Sequence, residues 1–213
     1  LLKNENGILP FASGAPLAVI GGFAKKPRFQ GGGSSHINAF KTTGALEAAE
    51  GLNVTYAKGY DVAGDCATDD MIAEAVKAAK AAKVAVVFAG LPDSYESEGY
   101  DRTHMRIPDC QVKVIEAVAE ANPNTVVVLH NGSPVEMPWI GKVKAVLEAY
   151  LPYYAAHNAD LTRPYDGVLG LLAEEVRIDL YHRVPQRIQG GFLAHQGRDH
   201  AVPCAGGGSF AAV

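Results

Sequence analysis

The stretch LPDSYESEGYDRTHMRIP (91–108) crowds Asp93, Glu96, Glu98, Asp101, Arg102 and His104 into one short segment. Glu98 stands out because Gly99 follows it directly and Arg102 lies four residues on. A carboxylic acid beside a glycine allows close backbone approach, and charged neighbours set its pKa, which is what a general acid on a loop needs. A charged loop is also what a plain solvated surface looks like, and the residues alone leave both readings open.

A second polar cluster, RFQGGGSSHINAF (28–40), lacks the P-loop lysine and the GxGxxG spacing, so its glycines are a weak nucleotide signal. Ser34, Ser35 and His36 can donate or accept hydrogen bonds, and Phe29 and Phe40 offer flat faces. The rim of a polar-substrate site and an ordinary surface loop both fit this pattern. Cys66, Cys110 and Cys204 match no zinc or redox spacing and read as buried or incidental thiols. No metal and no cofactor are expected.

These segments must be carried by the elements around them. PLAVIGG (16–22), LNVTYAKGY (52–60), VAVVFAG (84–90), TVVVLHNGSP (125–134) and KAVLEAY (144–150) read as strands. The runs at 84–90 and 125–134 are continuous and β-branched, as in strands buried on both faces. Between them lie helical patterns: 42–51 with Leu46 and Ala49 on one face, 69–83 with Ile72, Val76 and Ala79, and a helix with Pro108 in its first turn and Val112, Ile115 and Ala119 inward. Such alternation predicts an α/β fold, a three-layer sandwich with a mostly parallel central sheet flanked by helices. Ligands bind outside the carboxyl ends of such strands, which directs attention to the loops after Ile20, Ala89 and Leu129.

Composition narrows the classes. The formal net charge is −4, without a basic patch, so nucleic acid is not an expected partner. No apolar run approaches the roughly 20 residues of a membrane span. The opening LLKNENGILP has no basic n-region or cleavage site, so no signal peptide is visible, and cytoplasm, periplasm and secretion stay open. Beyond Leu151 there is no lysine, four of the seven histidines appear, and periodicity fades. The expected organisation is a sandwich over 1–151 and a divergent tail over 152–213, which either completes the sandwich or is partly irregular.

LLKNENGILP, AVIGGFAKKPRFQGGGSSHIN, VTYAKGYD, VAVVFAGLPDSYESEGYDRTHM and NPNTVVVLHNGSPVEMPWI, in that order, resemble the C-terminal sandwich of family 3 glycoside hydrolases. The resemblance covers roughly 1–151, and its S-E-G-x-D-R element is its most specific part. It implies a β-glucosidase-type enzyme that hydrolyses β-linked glucosides with retention, using two carboxylates and no metal. Glu98 matches the family's acid/base glutamate. Arg102, Asp101, Ser34, Ser35 and His36 are the substrate-binding candidates. The family's nucleophile is an aspartate on a separate (β/α)₈ barrel, which takes about 250 residues, so 152–213 is too short to hold it. The implied partners are a β-linked glucoside or oligosaccharide and that barrel domain, with homo-oligomerisation left open.

After residue 150 the family's glycine-rich turn, helix and N-P-S-G-K-L element are replaced by LPYYAAHNADLTRPYDG. A variant, a fusion and a shifted reading frame are each compatible with this. Two other functions therefore stay open: a non-catalytic carbohydrate-binding sandwich, and a stand-alone hydrolase recruiting His157, His182, His195, Asp166 or Ser209. The absence of a G-x-S-x-G elbow argues against a serine hydrolase of the common kind.

Overall fold

A computed structural model describes residues 1–34, 36–39, 42–63 and 65–151. Within them six strands form one sheet: β1 (Lys3–Asn4), β2 (Leu17–Ile20), β3 (Val54–Ala57), β4 (Val84–Gly90), β5 (Thr125–His130) and β6 (Ala145–Glu148). Their order is β1-β6-β5-β4-β2-β3. All neighbours run parallel except β1, which pairs antiparallel with β6 through Lys3↔Val146 and Asn4↔Ala145. The expected parallel sheet is present, with the 84–90 strand inside it beside the 125–130 strand. β1 is new relative to the sequence reading, because two residues are too few to show a period.

Every residue of β4 and β5 is buried, as their unbroken apolar runs require. Four helices flank the sheet: α1 (Gly22–Lys25), α2 (Ala45–Ala48), α3 (Asp69–Ala81) and α4 (Asp109–Ala121). Thr68 caps α3 by accepting the Met71 N–H at 3.3 Å, while Asp69 and Asp70 in its first turn and Lys80 in its last suit the helix dipole. Pro108 stands just before α4 rather than in its first turn. That helix buries Val114, Ile115, Val118 and Ala119, and Val112 is only half-buried. The helix expected over 42–51 shrinks to the four residues of α2, since the β-branched pair Thr42–Thr43 stays outside it. Buried Asn122 then ties α3 to α4, donating to the carbonyls of Ala79 (2.8 Å) and Ala82 (3.1 Å).

Handedness places the layers. The path from β2 through α1 and α2 leads outward to β3, whereas β3-α3-β4-α4-β5 runs back the other way across the sheet. Right-handed crossovers therefore put α1 and α2 on one face and α3 and α4 on the other. The reversal falls between β2 and β4. That is the topological switch point, where loops diverge and leave a crevice.

Candidate active site

Three loops meet at the carboxyl ends of β2, β4 and β5: 26–34 after α1, 91–108 after β4, and 131–134 after β5. Arg28 is the hub between them and is only 6% exposed. Its Nε donates to Asp93 Oδ1 at 3.1 Å, Nη1 to the Leu91 carbonyl at 3.0 Å and to Glu96 Oε2, and Nη2 to the Glu96 carbonyl at 2.8 Å. Glu96 Oε2 also accepts the Gly132 N–H at 2.9 Å. Burial pushes the Glu96 carboxyl up, but hydrogen bonds from Ser133, Gly132 and Arg28, with the charge of Arg28, outweigh it and hold the group below its ordinary range.

Two further contacts pin the long loop. The Tyr95 hydroxyl donates to Asp65 Oδ2 at 2.5 Å, and this bond, helped by burial, pushes Tyr95 up to about 12. Arg102 donates from Nη2 to Ser133 Oγ (2.8 Å) and to the Pro134 carbonyl (3.0 Å). Between these anchors, Ser97–Tyr100 closes a tight turn, with the Tyr100 N–H on the Ser97 carbonyl at 3.3 Å. Glu98 sits at its second position and Gly99, at φ +74°, at its third, the pattern of a type II turn.

The turn carries Glu98 onto the glycine-rich loop. Its Oε2 accepts the Ser34 N–H, and a Cβ at Gly33 would lie 2.3 Å from the Cβ of Glu98, so the approach needs glycine. The Ser34 hydroxyl, then the Ser34 N–H, hold the Glu98 carboxyl below its ordinary value. The glycine-rich loop is itself closed by the buried Gln30, whose amide accepts the Ile37 N–H (3.0 Å) and donates to the Ile37 carbonyl (2.9 Å).

The candidates thus separate. Glu98 and Ser34 are brought into contact. His36 is exposed and turns Nδ1 toward Gln30 at 3.1 Å. Asp101 is exposed, and Arg102 is occupied with the 133–134 turn, so Ser34 rather than Arg102 sets the state of Glu98. Ser35 lies outside the described residues, as do Phe40, Cys204 and the tail candidates His157, His182, His195, Asp166 and Ser209. Of the other cysteines, Cys110 is buried and Cys66 exposed, and both are free. Arg28 and Glu96 were not singled out as a pair from sequence, since a lone arginine in a glycine-rich stretch has no periodicity. Among the described residues no cluster of His, Cys, Asp or Glu is arranged to hold a metal, and no helix is long and apolar enough to cross a membrane.

A parallel α/β sandwich that presents a carboxylate on a glycine-lined turn at its switch point is the class defined by these features. A family model described as "Glycosyl hydrolase family 3 C-terminal domain" matches residues 1–161, and the chain belongs to that family. It is 51% identical over 189 residues to the thermostable beta-glucosidase B of Acetivibrio thermocellus, covering 85% of this chain and 25% of that protein. It is 42% identical over 163 residues to an exo-alpha-(1->6)-L-arabinopyranosidase of Bifidobacterium longum, covering 71% and 22%. Among solved structures it resembles the Bifidobacterium adolescentis GH3 beta-glucosidase, with a TM-score of 0.67, 49% identity and coverage of 71% of this chain and 23% of that one. The chain therefore spans about a quarter of the length of the curated relatives it matches.

Proposed function

We propose that this chain supplies the acid/base half of a retaining β-glucosidase, with Glu98 as acid/base and an aspartate of a barrel domain as nucleophile. The observation that supports it is the place of Glu98: the tip of a turn, exposed, at the switch-point edge of the sheet, with both flanks of its loop anchored. Retention needs two carboxyl groups about 5 Å apart. The barrel aspartate attacks C1 while Glu98 gives its proton to the leaving oxygen, and Glu98 then takes a proton from the water that releases the sugar. As it stands Glu98 is ionised at neutral pH, the wrong state for the first step. An aspartate charge brought within about 5 Å, with water excluded, would raise its pKa to fit that step. Ser34, His36, Asp101 and Arg102 stand at the same edge as candidate sugar contacts, and Ser35 is a further candidate from the sequence alone. Residues 1–151 are the working body in this reading, and 152–213 are a tail of divergent sequence.

The test joins the full chain to the Acetivibrio thermocellus relative in place of that protein's matching segment. The hybrid is expected to hydrolyse β-glucosides with retention. Glu98→Gln in the hybrid should cost about 10²- to 10⁴-fold on alkyl glucosides, and less on aryl glucosides whose leaving groups need little protonation. Equal losses on both substrates would remove Glu98 from the acid/base role.

A further inference from the structure

We propose that Arg28 and Glu96 are a positioning pair for Glu98, an inference that rests on the acid/base reading of Glu98. Arg28 is too deeply buried to touch a sugar, yet its guanidinium reaches four acceptors on the loop that carries the acid. One of them is the carbonyl of Glu96, the peptide that leads straight into the 97–100 turn. The Glu96 carboxylate completes the brace by accepting from Gly132 on the next loop.

The same arginine is close along the chain to the other partner of Glu98. It lies two residues before Gln30, whose side chain closes the 30–37 loop, and that loop presents the Ser34 N–H to the Glu98 carboxylate. One side of the Glu98–Ser34 contact is thus held by the guanidinium, and the other follows along the chain from the backbone that the same residue anchors. A lysine could not replace it, because an ammonium is a point charge without the fixed fork that meets Asp93, Leu91 and Glu96 together. Glu96 and Glu98 divide the work. Glu96 is consumed by Arg28 and Gly132, which leaves Glu98 the carboxylate at liberty to exchange a proton with a substrate.

Two measurements test this, each on Glu96→Gln and Arg28→Lys. In the full chain, carboxyl and amide NMR titration follows Glu98 and the Ser34 N–H. Both variants are expected to move the Glu98 midpoint up toward the ordinary glutamate range and to erase its mark on the Ser34 amide. In the Acetivibrio hybrid, kcat for alkyl glucosides should fall about 10- to 100-fold, the scale of a misplacement near 1 Å. Aryl glucosides with good leaving groups should fall less, and KM should change little. An unchanged Glu98 titration together with equal losses on both substrates would show a merely structural role and overturn the proposal, even if the melting temperature drops. Glu98→Gln is run alongside. If it leaves the leaving-group dependence unchanged, the acid/base reading fails and the pairing falls with it. If it abolishes acid catalysis while Glu96→Gln and Arg28→Lys do not disturb it, only the pairing fails. Should Glu96→Gln not fold, Arg28→Lys, which keeps the charge, carries the same comparison.

Discussion

An ionised carboxylate cannot donate a proton, and Glu98 is kept ionised by the Ser34 hydroxyl and N–H. In the chain by itself Glu98 should therefore titrate below the ordinary glutamate range of about 4.3. Ser34→Ala removes the hydroxyl and keeps the N–H, so it should move the midpoint only part of the way back. Carboxyl chemical shifts followed against pH check both. The sign for stability follows: a depressed folded pKa stabilises the fold above the ordinary value, and that contribution is lost as pH falls through the lowered one. The resemblance carried by the S-E-G-x-D-R element points to Glu98, whereas the residues of its loop alone leave a plain solvated surface open as well. Its partner was half legible, as Ser34 was noted for its hydroxyl while its main chain also binds. Arg28 escaped notice, because what makes it matter is burial against a loop more than sixty residues away.

The strands and loops that hold these groups carry their own predictions. Gly99→Ala should strain the 97–100 turn by about 1 kcal/mol, the usual cost of a left-handed conformation for a side-chain-bearing residue. Its effect on alkyl-glucoside turnover in the hybrid should exceed its effect on melting temperature. At the end of β5, His130 is fully buried between Phe23 and Phe88. Burial lowers it to about 4 from an ordinary 6.5, against a hydrogen bond with the Arg28 backbone. The unfolded chain takes up this proton before the folded one does. Stability is thus complete above about pH 6.5 and declines toward pH 4, by about 3 kcal/mol for this group. Urea unfolding of the full chain across that range should show the slope, and His130→Phe should flatten it. At this scale the sequence was easiest to read where elements were long. α3, α4, β4 and β5 announced themselves by amphipathic period or unbroken apolar run. β1, with two residues, had no period to offer, and the helical pattern over 42–51 overran the four residues of α2.

Taken as a whole, and on the acid/base role proposed for Glu98, the body would offer one carboxylate to a reaction that needs two. The full chain alone should turn over neither aryl nor alkyl β-glucosides with retention, a result that product stereochemistry by NMR reads directly. Robust turnover that survives Glu98→Gln would locate the chemistry elsewhere in the chain. The reversal between β2 and β4, which makes the crevice, follows from the order of elements and a handedness rule. The sequence therefore leads to the edge of the sheet where Glu98 and Ser34 meet, without revealing that these two groups touch. The antiparallel pairing of β1 with β6 has a consequence for how such a body is handled. Leu2 donates from its N–H to the Val146 carbonyl at 2.9 Å, so residues 2–4 lie alongside β6. Residues 1–4 and 145–148 therefore share one margin of the described sheet, away from the reversal in strand order. A circular permutant that links residue 1 to residue 151 across this margin and opens an exposed loop instead should therefore keep the same sheet, as circular dichroism would read.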